Sequence, residues 1–577
     1  MFLPVVSATA LDLPTVVTRY TEDRELIERA YPIPGSPARA AQLRAFYETT
    51  GRAVDALPFD KLPREDKIDI VLLCDDLRRR TRALDQDAAY DRDMSPLLPF
   101  ADEARGFEER RLRMETVDAK DAAARLDGLA KAVSATTDAL TKRLADKRLV
   151  VTDGVAPAPT GTENPVSRAT ANRAVRALGE LRRRLDRWYG FYNGYDPAFS
   201  WWCKAPYAAL VAALDRHTAF VRERLVGIAA DDRTTIVGFP IGREALLTEL
   251  RAERIAYTPE ELLAVADREY AWCLGEMKRA SREMGFGDDW KKALAKVRES
   301  YVEPGKQPEL IRDLAVEAEG YVEKQDLVTV PPLAKETWRM EMLSPDRQLQ
   351  SPFFLGGENI LVSYPTDAMT EEQKLTSLRG NNPSFARATV FHELIPGHWL
   401  QQFSAARYRP YRSAFGTPFF WEGNSLYWEM LLWDTGFTHT PEQRVGALFW
   451  RMHRCARVQF SLGFHLGKLT PAQCVDLLVD EVGHERGTAA AEVRRSFSGD
   501  YGPLYQIAYL MGGLEFRALG RELVGGGKMT RKAYDDAILH EGEIPVDLIR
   551  AALTNAPLAR DGAPGWRFAD DGASGKG

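Results

Sequence analysis

The chain has 577 residues, 45% of them hydrophobic and 28% charged. This is the composition of an ordinary globular protein and excludes the disordered, collagen-like and disulfide-framework classes. With 77 basic against 83 acidic residues the formal charge is −6, so the basic surplus that drives binding to nucleic-acid phosphates is missing.

The five cysteines, Cys74, Cys203, Cys273, Cys455 and Cys474, are scattered, odd in number and never in a CxxC pair, which suits a reducing compartment. The opening stretch MFLPVVSATALDLPTVVTRY has no basic region ahead of its apolar run, and no window approaches the ~18 unbroken apolar residues of a membrane span. The expectation is a cytoplasmic protein with neither nucleic acid nor membrane as a partner.

From residue 11 to about 236, apolar side chains recur three and four apart among Arg, Asp, Glu and Ala. Leu126, Leu129 and Val133, and then Val175, Leu178, Leu181 and Leu185, are examples that predict a helical array. Residues 152–165 (TDGVAPAPTGTENP) break the pattern and mark a surface loop. A second helical block runs over about 243–323. The period then drops to two: Trp338, Met340 and Met342 alternate, as do Ile360, Val362 and Tyr364 after Gly356-Gly357. These predict strands of a small sheet, with residues 327–330 as a third candidate. Helices resume to about 553. The expected division is a helical part over 1–240, a catalytic part over 241–555 and a fraying tail over 556–577, which is rich in Gly, Ala and Asp. The run Gly525-Gly526-Gly527-Lys528 lacks the preceding strand and following Ser/Thr of a P-loop and reads as a turn.

Of the eight histidines, two fall within residues 386–402, ARATVFHELIPGHWLQQ. A His followed by Glu on an apolar helix points to zinc-hydrolase chemistry, in which imidazoles hold the metal and the Glu takes a proton from water. On a straight helix, at ~100° per residue, His392 and His398 would point about 120° apart and could not chelate. Pro396, however, offers no N–H to the carbonyl of residue 392 and crowds it, while Gly397 reaches conformations closed to other residues. A break between the histidines is expected, and it can turn His398 back towards His392. The alternative is a helix ending at Ile395 with both imidazoles merely hydrogen-bonded. In WEGNSLYWE, residues 421–429, Glu422, Ser425 and Glu429 share one helical face. Carboxylates on so apolar a segment are costly unless a cation compensates them. The alternative for Glu422 is an exposed residue near a helix start.

These residues resemble the bacterial family known as domain of unknown function 885. Its hallmark of His-Glu, two residues, Pro-Gly-His and a later Gln is matched by His392, Glu393, Pro396, Gly397, His398 and Gln401. Glu422, Gly423, Tyr427 and Glu429 match its next phrase, and the stretch from Ala537 to Pro545 its closing one. The likeness extends over about 15–555. A more distant likeness, through Glu422, Ser425, Glu429 and Gly397-His398, is to the thimet oligopeptidase and neurolysin group of helical zinc peptidases. That resemblance implies His392, His398 and Glu422 as ligands, Glu393 as base, and Tyr505 or Tyr509 over the substrate carbonyl. Two positions depart from the family pattern: Asn424 stands where most members have Trp, and Ser461 replaces the Asp of an Asp-x-Gly-x-His phrase ending here at His465.

Among other candidates, Arg451, Arg454 and Arg457 form a helical stripe, either a solvated basic face or an anion clamp. Arg495 is a candidate for an oxyanion or a substrate carboxylate, with an ion pair to an acidic neighbour as the alternative. His217, His439, His484 and His540 read as structural or surface residues, and Trp201-Trp202 as core.

The expected protein is mainly α-helical and zincin-like (gluzincin or neurolysin-like), with a small β-sheet beside the metal helix. The expected activity is hydrolysis of peptide or amide bonds with Zn2+, or another divalent metal, held by His392, His398 and Glu422. Glu393 is the expected general base, with Tyr509, Tyr505 or Arg495 stabilising the oxyanion. The substrate partner is then a peptide or small amide, held along residues 359–364 as an added strand. The alternatives are a metal-dependent enzyme that tailors a small natural product and a non-catalytic family member.

Overall fold

The computed structural model describes residues 12–152, 165–232, 234–344, 348 and 356–569. They are mainly helical, and among them no helix is long and apolar enough to cross a membrane. The expected loop lies almost wholly outside the described residues. The chain packs as two units. One contains Thr18–Leu57 and Asp76–Pro240; the other contains Pro58–Asp75 and the chain from Ile241 onward.

The first unit is built on α1 (Ala119–Ala145), α2 (Arg168–Tyr192) and α3 (Pro197–Phe220). Each starts at a polar cap, Asp118, Ser167 or Asp196, whose side chain accepts an otherwise unpaired N–H of the first turn. The apolar stripes read from the sequence are buried: Leu126, Leu129 and Val133 on α1, and Leu178, Leu181 and Leu185 on α2. Trp188 fills the centre, its ring 4.7 Å from Phe107 and 5.2 Å from Phe199. The Trp201-Trp202 pair is not core: Trp201 is 83% exposed and Trp202 44%. The buried stripe of α3 runs through Phe199, Cys203, Tyr207 and Leu210, and the two tryptophans fall off that face.

In the second unit a cap followed by proline starts helix after helix: Thr258-Pro259, Asn382-Pro383, Thr417-Pro418, Thr440-Pro441 and Thr470-Pro471. Proline at the first helical position loses nothing, because its missing N–H would have had no acceptor. α4 (Pro259–Glu283) packs along a central helix described below. β1 (Arg339–Met342) and β2 (Asn359–Val362) pair in parallel, Arg339 opposite Asn359 and Met342 opposite Val362. Residues 327–330 form no strand. The Thr329 N–H and hydroxyl both donate to the Asp536 carboxylate, and Pro331 and Pro332 supply no ladder donors. The stretch beyond 556, expected to fray, is held as far as residue 569. Phe568 is buried 4.9 Å from the Tyr257 ring, and Arg567 pairs with Glu261 at 2.8 Å.

Six further helices carry the histidines, carboxylates, arginines and tyrosines singled out in the sequence: α5 (Pro383–Glu393), α6 (His398–Ala405), α7 (Pro418–Asp434), α8 (Pro441–His465), α9 (Arg486–Phe497) and α10 (Tyr505–Gly520). α8 is the central one, buried almost continuously from Val445 to His465. α7 and α10 approach at backbone distance. A Cβ on Gly512 would lie 2.1 Å from the Phe419 carbonyl oxygen, and one on Gly423 2.6 Å from the Gly512 Cα. Only glycine fits at this crossing, and it lays the tyrosines of α10 against the carboxylates of α7.

Candidate metal centre

α5 ends at Glu393, and α6 begins at His398. The break falls where Pro396 denies the His392 carbonyl its helical donor. Gly397 is required for close approach, since a Cβ there would stand 1.9 Å from the His392 carbonyl oxygen. The Gly397 N–H instead donates to the Phe391 carbonyl at 2.9 Å, and the Ile395–Pro396 peptide is cis. The turn sets the His392 and His398 rings 4.9 Å apart at an interplanar angle of 86°.

α7 brings a carboxylate to both rings. Glu422 Oε2 lies 3.5 Å from His392 Nε2 and 3.3 Å from His398 Nε2, and the three ligand atoms all fall within 4.8 Å of one another. In a tetrahedral zinc site with bonds of ~2.0–2.1 Å, ligand atoms sit about 3.4 Å apart. Two imidazoles and one carboxylate, with the fourth position open, are also the donor set of catalytic zinc. The residues therefore fit a divalent metal. Glu422 is buried rather than exposed at its helix start.

The residues behind these ligands fix their orientation. The other nitrogen of His392, Nδ1, is 2.7 Å from Glu429 Oε1, which also accepts from Arg454 at 3.3 Å. Tyr505 donates its hydroxyl to the remaining oxygen of Glu422. Tyr509 stacks on His392 at 6.3 Å between ring centres. Glu393 lies next to the ligands in sequence and feels the charges of both histidines and Glu422. The backbone entering β2 closes over it: a Cβ on Gly356 would meet Glu393 Oε2 at 2.2 Å, and the Gly357 N–H points at the Glu393 carbonyl at 3.4 Å. From the chain's far end, Glu543 accepts from Trp421 and faces His398.

Electrostatics follow from burial. Burial pushes the Glu393 carboxyl up, with the two histidines opposing. Burial alone would push His392 down, but hydrogen bonds with Glu422 and Glu429 raise it to about 9. For Glu422 the nearby histidines outweigh burial and hold the carboxyl well below its ordinary range. Burial raises both Tyr505 and Tyr509, which keep their hydroxyl protons.

The arginine stripe of α8 is no solvated face. Arg451, Arg454 and Arg457 are 6%, 5% and 6% exposed. Arg451 pairs with Glu269 of α4 at 2.8 Å, Arg454 with Glu429, and Arg457 with Glu492 of α9 at 2.8 Å. Arg495 lies 3.3 Å from the same Glu492, the acidic neighbour its sequence context left open. His453 and His484 are hydrogen-bonded to each other at 2.9 Å and are kept neutral by burial first, then by surrounding arginines. His217 bonds Thr137 and the Leu97 carbonyl.

The two departures are both buried. Asn424 keeps an oxygen, and Trp428 one turn later an indole N–H, without a partner among the described residues. Ser461 shares a helical face with His465, whose Nδ1 is likewise unpartnered and which burial lowers to about 4. Spacing on one helix could not reveal Glu492, which meets Arg457 from a helix 35 residues away, nor the tie between Glu543 and Trp421.

The chain belongs to the bacterial proteins of unknown function DUF885, whose model matches residues 26–553. A candidate lipoprotein of unknown function from Shewanella oneidensis has a similar structure, with a TM-score of 0.67 at 17% identity, covering 94% of this chain and 100% of that one. Another candidate lipoprotein, from Colwellia psychrerythraea, superposes with a TM-score of 0.56 at 14% identity, covering 94% and 97%. At these identities the likeness is one of fold. No curated protein matches the chain.

Proposed function

We propose that this protein is a metal-dependent hydrolase of peptide or amide bonds, with a zincin-like catalytic half. The observation that carries the reading is the convergence of His392, His398 and Glu422 within 4.8 Å, with Glu393 beside them. These three residues would hold the metal, zinc by donor set, and the metal would polarise a carbonyl and acidify water.

The chain's own residues supply the rest. Glu393, whose carboxyl burial raises against the pull of the two histidines, takes a proton from the attacking water. The water oxygen joins the carbonyl carbon, the C–N bond breaks, and the proton passes from Glu393 to the leaving nitrogen. Tyr509, protonated and stacked on His392, would donate to the developing oxyanion, and Tyr505 would do so on releasing Glu422. Glu429, pinned by Arg454, fixes the His392 ring through Nδ1.

The test is elemental analysis of purified variants beside an amidase assay. One equivalent of metal is expected in the wild type, loss of metal in His392→Ala and His398→Ala, and retention of metal without turnover in Glu393→Gln. Full metal occupancy in His398→Ala would overturn the ligand assignment, and full turnover by metal-loaded Glu393→Gln would overturn the base.

A further inference from the structure

We propose that Arg457 and Arg495, backed by Arg454, form a carboxylate-binding subsite beside the metal centre, so that the amide bond cleaved lies close to the substrate's own carboxyl terminus. The proposal rests on the hydrolase reading and adds to it a substrate class: short peptides and N-acyl amino acids with a free carboxylate.

The first observation is a surplus of guanidinium donors. The Arg495 side chain makes no hydrogen bond among the described residues; its Nε is buried and lies 3.3 Å from Glu492 Oε2. Arg457 uses only its Nε, 2.8 Å from Glu492, which leaves the two terminal nitrogens without an acceptor among those residues. Arg454 spends one terminal nitrogen on Glu429, and its buried Nε has no partner. Three guanidiniums thus hydrogen-bond or ion-pair with two carboxylates, of which Glu429 is shared with His392, while Arg454 also feels the charge of Glu393. His453, 3.8 Å from Glu492, and His484 are neutral and add no charge. Unpartnered Nε atoms also occur on Arg387, Arg444 and Arg451, so it is the terminal nitrogens left over around Glu492, rather than a lone Nε, that leave room for a further carboxylate. A planar carboxylate is the ligand whose two oxygens match a guanidinium fork.

The second observation is access and placement. The Arg495 side chain is 25% exposed, against 6% and 7% for Arg454 and Arg457, so it is the arm that reaches open space. The guanidiniums lie against tyrosine faces, Arg495 5.2 Å from the Tyr501 ring centre and Arg457 4.4 Å from that of Tyr509. Tyr501, Tyr505 and Tyr509 follow one another at 4.4 Å and 5.8 Å and end on His392. Taken together, the steps from His392 to Tyr509 and from Tyr509 to Arg457 place that guanidinium within about 11 Å of the His392 ring. An extended chain covers that in at most about three residues at ~3.3–3.6 Å each. The carboxylate recognised is therefore near the scissile bond.

The experiment compares acetylated di- and tripeptide libraries, as free acids and as C-terminal amides, on the metal-loaded protein. The wild type is expected to favour acids over amides at least tenfold in kcat/KM. Arg495→Gln should bring that ratio towards one, and Arg495→Lys, which keeps the charge but not the fork, should restore part of it. A second readout needs no turnover: metal-loaded Glu393→Gln should bind the acids at least tenfold more tightly than the amides by calorimetry. Adding Arg495→Gln to that variant should abolish the difference. Acids and amides hydrolysed equally by the wild type would overturn the subsite and leave the hydrolase standing. Acid-selective binding through Arg495 with no hydrolysis would overturn the hydrolase and keep the subsite. Neither hydrolysis nor acid-selective binding would overturn both.

Discussion

Ser425 donates a hydrogen bond of 3.1 Å to the main-chain carbonyl of His392, the carbonyl that Pro396 leaves without its helical donor. Gln401 in turn donates to the Ser425 hydroxyl at 2.9 Å and to the Trp421 carbonyl at 3.2 Å. The break that turns His398 towards His392 is thus closed from the helix that carries Glu422, and one serine ties the ligand-bearing segments together. Ser425→Ala should cost about 1 kcal/mol or more of stability, because the buried carbonyl then stays unmet. It should also weaken metal binding by roughly 10–100-fold, as loss of an orienting partner does. Gln401→Ala should act through the same bond, so the double variant should lose less than the sum of the two. Chelator competition and chemical denaturation of the four proteins check both points; strict additivity would break the link.

Glu422 and Glu429 lie two turns apart on α7 and divide the work. Glu422 faces both His392 and His398, while of the two histidines Glu429 meets His392 alone, at its far nitrogen. Glu422→Ala should therefore abolish tight metal binding, and Glu429→Ala should reduce affinity by roughly 10–100-fold. Competitive titration with a chelator orders the two variants, and the reverse order would exchange their roles.

Much of this was legible in the sequence because it rests on local rules. The six-residue spacing of His392 and His398 makes sense only with a broken helix, and Pro396-Gly397 supplies the break. The α7 carboxylates were visible from a three-and-seven spacing. What stayed hidden depends on distant chain. Arg451, Arg454 and Arg457 read equally as a solvated stripe or an anion clamp until α4, α7 and α9 bring Glu269, Glu429 and Glu492 to them. Residues 327–330 are a strand candidate in sequence, but the Leu327 N–H goes to the Val322 carbonyl and Thr329 donates to Asp536. Trp201 and Trp202 read as core by residue type alone, although the stripe of α3 leaves them outside.

The sheet beside Glu393 allows the strand-addition reading to be tested. Among the described residues no third strand pairs with β1 or β2. The Leu343 N–H donates to the Val362 carbonyl at 3.0 Å, so Val362 faces the ladder and Leu361, by strand alternation, faces away. If peptides bind here by strand addition, Leu361→Pro should raise KM several-fold without unfolding the protein, whereas Val362→Pro should destabilise the sheet itself. Unchanged kinetics in a folded Leu361→Pro variant would show that substrate is not held as a strand.

Asp535, on the helix Arg531–Glu541, supplies a pH test away from His392, His398 and Glu422. It accepts from Tyr427 at 2.7 Å, Tyr427 accepts from Arg531 at 2.7 Å, and its other oxygen is buried without a partner among the described residues. Burial raises the carboxyl to about 8, opposed by the Tyr427 hydrogen bond and Arg531 and reinforced by Asp536. In the unfolded chain an Asp titrates near ~3.9. Between roughly pH 4 and pH 8 the folded state therefore holds a proton that the unfolded state has released. This group's contribution is fully present below pH 4 and is lost as pH rises towards 8, with a slope of up to about 1.4 kcal/mol per pH unit. Asp535→Asn, which cannot ionise, should flatten that part of the stability profile and gain on the wild type as pH rises from 5 to 8. Urea denaturation at pH 5, 6, 7 and 8 measures the difference; parallel profiles for the two proteins would mean that Asp535 is ionised in the fold throughout.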